Sequence, residues 1–518
     1  MILDAHTLDR NLFTRIFDVC VIGAGPAGIS LARKLAARGH DVALMEGGGL
    51  DITHESQELY EGDIVGLDYY PIDTARLRFL GGSSNHWGGR CRSLDPYDFE
   101  GVDHHPMSEW PIRWSDLDQY AAEAEDILDL VPASVTPDKP VEGAERALFR
   151  PGFRFSSPTT RFNEKYRAEL AASKRIHLIL NANLVDIRVS DNGTAVTGTI
   201  LKSYRAGDPG FPVRARAYCL CLGALENPRA LLNANAQFPN GIGNDHDLVG
   251  RYFCEHPTYV VGEVLFEDDV PPKAGFAPTP ECIRQEGCLN FNALMNTHAL
   301  DFMTEAKRTV ACSSDFMTQL AEKVLGRPFN CNVGGLSAYF DNLNKADFRI
   351  GEIGCIAEQA LNPDSRVLLS NETDRFGLRV LALDWRHNEM DMRTYRACAN
   401  VMGAYLAKRG IGRVKVADWL MDNDPVPPPM GTPGNQVGAY HHMCTTRMSQ
   451  NPKEGVVDGD CKVHGLGNLF IGGSSVYATA GHTNPTLNIV ELALRLGDHI
   501  SGRLSGGELA AIPNDTSL

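Results

Sequence analysis

The chain contains no run of basic residues: 65 acidic side chains outnumber 49 Lys and Arg, for a net charge of −16. A nucleic-acid backbone is thereby excluded as the main ligand, because such binding rests on clustered cations that release counterions. No stretch approaches the roughly 18 consecutive apolar residues of a membrane span. The opening "MILDAHTLDRNLFTR" carries charges where a secretory signal would be apolar. Thirteen cysteines are scattered without zinc-like spacing, so no metal is expected, and none forms a redox C-x-x-C. Cys219 and Cys221 fall on one face of an expected strand and do not readily bridge. Free thiols in a reducing cytoplasm are the expectation. Glycine, by contrast, is plentiful: 50 residues, many in short clusters that favour tight turns and ligand-hugging loops. At 518 residues the chain exceeds one ordinary core, and two domains are expected.

The first cluster lies in "FDVCVIGAGPAGISLARKLAARGHDVALMEGGG". Phe17 to Ile22 predicts a short apolar strand; Gly23, Gly25 and Gly28 supply a G-x-G-x-x-G turn. A helix follows to about Arg38 with Gly39 as its C-cap, then a second strand from Asp41 ending on the acid Glu46. Gly23 permits the tight turn, Gly25 lets a pyrophosphate approach the backbone, and Gly28 lets helix and strand pack closely. The helix N-terminus then faces the phosphates while Glu46 accepts from a ribose hydroxyl. Strand, turn, helix, strand and terminal acid agree, which a lone glycine pattern would not provide. NAD and FAD both suit such a unit. No second G-x-G-x-x-G appears, so the chain holds one dinucleotide and takes its electrons from another source.

Two further glycine-bracketed stretches carry side chains able to do chemistry. "GGSSNHWGGR", Gly81 to Arg90, sets His86 and Trp87 between glycine pairs, as a backbone lying flat against a large ligand would need. Arg90 suits an acidic substrate, a flavin phosphate or a surface salt bridge. Near the far end, Leu469 to Ile471 predicts a strand followed by Gly472 and Gly473. Asn484-Pro485 then opens a helix whose apolar face is marked by Leu487, Val490 and Leu494, with proline at the first helical position. That N-terminus would favour an anionic flavin ring. Just upstream, "AYHHMCTTRM" holds adjacent His441 and His442 beside Arg447.

Taken in order, "GAGPAG", "GGSSNHWGG", "CLGALENPRALL", "DLVGRYFCEHP", "NPDSRVLLS", "YHHMCTTRM" and "GHTNPTLNI" make the chain resemble a glucose–methanol–choline (GMC) flavoprotein oxidoreductase over nearly its whole length. The G-G-x-x-x-H-W and N-P-T-L elements look most like the pyranose-oxidase branch and its bacterial glycoside-oxidising relatives. The resemblance implies an α/β fold: a Rossmann-like FAD-binding domain with an α+β substrate domain built on a large antiparallel sheet. It assigns residues 14–94, 174–251 and 433–503 to the FAD domain and residues 95–173 and 252–432 to the substrate domain. "PVPPPMGTPG", Pro425 to Gly434, is read as a linker, and residues 504–518 as a fraying tail.

Carried over position by position, His441 matches the family's catalytic His and Asn484 its partner ahead of the closing helix. His86 matches the residue tethered to flavin in pyranose oxidase; a covalent bond and a hydrogen bond both stay open. FAD contacts are implied at Gly23, Gly25, Pro26, Ala27, Gly28, Glu46, Gly81, Gly82, Asn85, His86, Trp87, Gly88, Gly223, Gly472, Gly473, Pro485 and Thr486. Glu226 and Asn227 are expected to fix turns near the FAD, and His442 and His482 to be structural neighbours. Asn484 can alternatively be read as the helix N-cap. Two positions depart from the pattern: Cys444 stands where the family usually has Gly, and Gly88 where pyranose oxidase has Thr. The implied reaction oxidises a CH–OH group of a sugar, glycoside or other alcohol, His441 taking the proton and flavin N5 the hydride. Oxygen, a quinone or a redox protein would accept the electrons. The competing readings are an FAD subunit of a multi-subunit dehydrogenase and a non-redox lyase on the same fold.

Overall fold

The strand Ile16–Ile22 is buried on both faces along its second half, as a central parallel strand must be. In the computed structural model it pairs in parallel with Val42–Met45 on one side and with Phe211–Leu220 on the other. Beyond Val42–Met45 lie Ile176–Leu180 and then Ile2–Asp4, both parallel. Phe211–Leu220 spans ten residues, long enough to take two partners along its far edge. Its start pairs antiparallel with Val196–Lys202, itself paired with Asn183–Val189, and its end takes Leu469–Ile471 in parallel. Ile22, Leu220 and Ile471 therefore end side by side, although the chain brings them from its start, middle and far end. Ligands bind such sheets outside the carboxyl ends of the strands.

The structure describes residues 1–8, 15–130, 138–267, 275–298, 349–429, 432 and 438–509. The expected domain start at residue 14, the re-entry at 433, the last part of the Pro425 to Gly434 linker and the tail beyond 509 lie outside them.

The turn helix Pro26–Ala37 has its proline in the first turn and buries Ile29, Leu31 and Leu35. It packs on the closing helix Thr486–Ser505, where Gly497 permits close approach: a Cβ there would come within 2.7 Å of the Lys34 side chain. A second, seven-stranded sheet is antiparallel throughout and runs Gly412–Val416, Thr258–Phe266, Arg349–Ala357, Phe291–His298, Gly275–Pro278, Leu148–Arg150, Lys139–Pro140. Burial alternates along most of Thr258–Phe266, the mark of a sheet with one packed face. That face meets the helix Glu389–Lys408 through Met392, Tyr395, Cys398, Met402 and Leu406. Among the described residues no helix is long and apolar enough to cross a membrane, eleven cysteines are free and buried, and no cluster suited to a metal ion occurs.

Candidate active site

A cavity of about 510 Å³ opens at the strand ends, within the range of small-molecule and cofactor sites. Residues from all parts of the chain line it: Gly23 to Ala27, Glu46, His86 to Arg90, Gly223, His441, Gly473 and Asn484 to Thr486.

Its glycines divide by what surrounds them. Gly23 has φ +103°, and a Cβ there would lie 2.5 Å from the carbonyl oxygen of Cys221. Gly28 is packed so tightly that a Cβ would run into the carbonyl of Gly23. At Gly25, Gly88 and Gly223, by contrast, a Cβ would meet nothing within 4 Å, so at these three points the backbone itself faces the cavity. Three helices begin there, with Gly25, Leu222 and Pro485 as N-caps, and none has a side-chain cap. Their orphan amides and positive dipole ends suit phosphates and an electron-rich ring. Glu46 is locked in place, its Oε2 accepting from the Ala24 amide at 3.0 Å and its Oε1 from Gly48 at 2.8 Å; among the described residues its remaining lone pairs have no other donor, which suits a ribose hydroxyl. This donor and acceptor set fits a flavin dinucleotide.

Gly82, His86, Trp87, Gly473, Pro26, Ala27, Pro485 and Thr486 line the cavity as well. Four of the expected contacts stand behind its wall instead. Gly28 and Gly81 are fitted against backbone, Asn85 donates to the Leu80 carbonyl at 2.9 Å, and Gly472 donates to Leu220 at 2.8 Å within the sheet. The Gly81 to Arg90 stretch, which has no period in the sequence, folds as a 3-10 turn over Gly82–Asn85 and then a short strand Arg90–Cys91. Trp87 is pinned by its indole N–H to Thr160 O at 2.7 Å, and Arg161 holds the carbonyls of Ser84 and Trp87. Burial and the Arg161 charge lower the pKa of His86.

At the other end of the cavity His441 and Asn484 meet, with 3.4 Å between Nε2 and the amide nitrogen. Asn484 is not the N-cap: Pro485 occupies that place, one residue earlier in the helix than expected, and leaves the carboxamide free to face the imidazole. Behind His441 stands His256, which no local pattern within "DLVGRYFCEHP" singles out. The two Nδ1 atoms are 3.0 Å apart, and His256 Nε2 faces the carbonyls of Gly481 at 2.8 Å and Ala480 at 3.3 Å. Carbonyls only accept, so His256 carries its proton on Nε2 and offers a bare Nδ1. His441 must then place its proton on Nδ1, which leaves the Nε2 lone pair aimed at Asn484 and the cavity. Burial holds His256 down at about 4 and, with the nearby His256, His442 and Arg90, keeps His441 well below the usual imidazole range. Both rings are therefore neutral at pH 7.

The backbone under His441 is anchored by Glu255, fully buried, whose carboxylate accepts from the amides of Ala439, His256 and His441 and from the Tyr69 hydroxyl at 2.7 Å. The same hydroxyl meets His442 Nε2 at 2.8 Å, and His442 also lines the cavity. His482 is buried, and neither of its ring nitrogens has a partner among the described residues. Asn227 staples Leu222 to Gly472 and Ser475. Glu226 instead belongs to a buried chain of charges, Arg76–Glu226–Arg229–Asp374, along the cavity wall. Cys444 adopts φ +70°, the left-handed conformation glycine prefers; it is buried beside Cys254, off the cavity.

Comparison with known proteins points to the same cofactor. Residues 18–239 match the family model described as FAD dependent oxidoreductase, and residues 362–493 that described as GMC oxidoreductase. The chain is similar to a 2-methyl-1,2-propanediol dehydrogenase of Mycolicibacterium austroafricanum, 25% identical over 94% of this chain and 96% of the relative. It is also similar to a paromamine 6'-oxidase of Streptomyces fradiae, 24% identical over 95% and 92%. Among solved structures, a fungal aryl-alcohol oxidase superposes with a TM-score of 0.58 at 14% identity, covering 95% of this chain and 99% of its own. That likeness bears on the fold.

Proposed function

The chain belongs to the glucose–methanol–choline family of FAD-dependent oxidoreductases, and from that premise we propose that it oxidises a CH–OH group of a sugar, glycoside or other alcohol to the carbonyl. FAD, when bound, supplies the hydride acceptor. The observation that carries the reading is the orientation of His441: its Nδ1 proton is committed to His256, so Nε2 is an open acceptor beside the Asn484 amide. His441 Nε2 takes the hydroxyl proton of the substrate. The Asn484 amide donates to the same oxygen, orienting it and stabilising its developing charge. Gly25, Gly223 and the amides opening the three helices hold the cofactor, Glu46 its ribose, and Trp87 walls the cavity. Attachment of the flavin through His86 remains a proposal of the family resemblance, and acid precipitation tests it: a yellow supernatant over a colourless pellet overturns it.

The test of the base is His441→Ala, assayed by anaerobic flavin reduction with an alcohol or sugar substrate. The reduction rate should fall about 10²- to 10⁴-fold with the flavin still bound; near-normal turnover overturns the assignment. One relative is named a dehydrogenase and another an oxidase, so the electron acceptor is read by oxygen consumption beside an artificial acceptor. The buried free thiols agree with a cytoplasmic location.

A further inference from the structure

Of the four arginines that line the cavity, Arg76, Arg78, Arg90 and Arg229, all but Arg90 have a polar partner among the described residues, Arg78 donating to the Tyr204 hydroxyl at 2.7 Å. Arg76 and Arg229 share Glu226, Arg92 bonds Asp95 and Asp138, and Arg154 meets Glu125. Arg161 gives its Nη1 to two carbonyls. Arg90 differs. Its guanidinium lies over the Phe153 ring, 3.5 Å from the centroid, and it lines the cavity with His441 and Asn484. Among the described residues it has no ion pair and no hydrogen-bond acceptor, and burial alone acts on its ionisation, lowering its pKa. Its charge lowers His441 and His482, which places it near both imidazoles.

A half-buried cation without a counterion is unfavourable unless a ligand neutralises it. We propose that Arg90 receives a carboxylate of the substrate, so that the preferred donor is a hydroxy compound bearing an acid group: a hydroxy acid, a sugar acid or a uronide. This rests on the oxidation reading above. A single planar fork stacked on an aromatic ring matches one carboxylate and balances one charge, whereas a phosphate dianion would call for further cations. The net charge of −16 does not oppose it, because surface charges beyond about 8 Å are screened at physiological salt.

The experiment uses the holoenzyme and matched pairs that differ only in the acid, methyl glucuronide against methyl glucoside and glycolate against its methyl ester. Anaerobic flavin reduction is read as rate over apparent dissociation constant. The acid member should lead by about 10- to 100-fold, the worth of a charge-assisted hydrogen bond. Arg90→Gln should collapse that ratio at least tenfold, and Arg90→Lys should restore part of it. Equal performance of the two members in the parent enzyme, or an unaltered ratio in Arg90→Gln, overturns the proposal. Acetate, which has no hydroxyl to oxidise, gives an independent reading: saturable binding by calorimetry, lost in Arg90→Gln, supports the site, and no binding sinks it. If acetate binds through Arg90 while no alcohol bleaches the flavin, the carboxylate site stands and the oxidation reading fails. Loss of flavin from Arg90→Gln with acetate binding intact assigns the guanidinium to the cofactor and overturns the proposal.

Discussion

A histidine acts as a base only if its lone pair is on the side where the proton arrives, and His256 decides this for His441. Replacing it with phenylalanine keeps a ring in the space but removes the Nδ1 acceptor, so the His441 proton is free to occupy either nitrogen. We expect His256→Phe to keep its flavin and to lose roughly ten- to a hundredfold in reduction rate, part of the general-base contribution. The acid limb of its pH–rate profile should also move upward, because the neighbouring ring that depresses His441 has gone. A slowed variant with an unmoved acid limb would make His256 a packing residue only. His441 and Asn484 were legible in the sequence because each sits in a local motif. His256, Tyr69 and Glu255 were not: their partners lie 185, 373 and 186 residues away, and no local period encodes such pairs. Nor does anything in "GGR" reveal that Arg90 has no counterion among the described residues, since pairing is a property of the folded surroundings.

For the strand–turn–helix element, the two glycines of the turn predict different failures. Gly25→Ala adds a methyl into open cavity at an ordinary backbone angle, φ −86°. The apoprotein should melt as before while flavin content at purification drops. Gly28→Ala drives a methyl into the Gly23 carbonyl, a main-chain group that cannot swing aside as a side chain could. That variant should lose about 1–3 kcal/mol of stability with or without cofactor, seen in denaturant unfolding of the apo form. Equal losses from both substitutions would remove the distinction between ligand-facing and packing glycines. This element was readable almost residue for residue, because an apolar run, a glycine turn and an acid at a fixed offset are local features. Its limits moved slightly: the strand starts at Ile16, and the helix ends at Ala37. The closing helix shifted for a physical reason, since proline at the N-cap position leaves Asn484 outside the helix altogether.

Across the whole molecule, buried ionisable groups set a pH optimum for stability. Burial holds His105 and His256 at about 4 and His442 at about 3, and it lowers His441 and His482 as well. Unfolded histidines protonate near 6.5, so below that value the unfolded chain binds more protons and stability falls with pH. Burial acts oppositely on Glu358 and Glu491, raised to about 7 and about 8. The native state keeps protons that the unfolded acids have shed, so stability also falls as pH rises from about 4.5 through 8. His40, His86, His177 and His499 are lowered too, and Asp95, Asp98 and Glu255 raised, so nine histidines outweigh five acids below 6.5 and only the acids act above it. The thermal midpoint of the holoenzyme should therefore peak near pH 6.5, and Glu358→Gln with Glu491→Gln should flatten the alkaline side. A parent midpoint still climbing at pH 8 would contradict this balance.

Leu469–Ile471 completes the edge of Phe211–Leu220 from some 250 residues further along the chain. During synthesis that edge must wait, at 5–20 residues per second, for roughly ten to fifty seconds before its last neighbour leaves the ribosome. Until then the nascent polypeptide presents an unzipped, greasy border and half a nucleotide cradle. Flavin loading is therefore expected only after the chain is complete, with the emerging intermediate suited to chaperone binding until then.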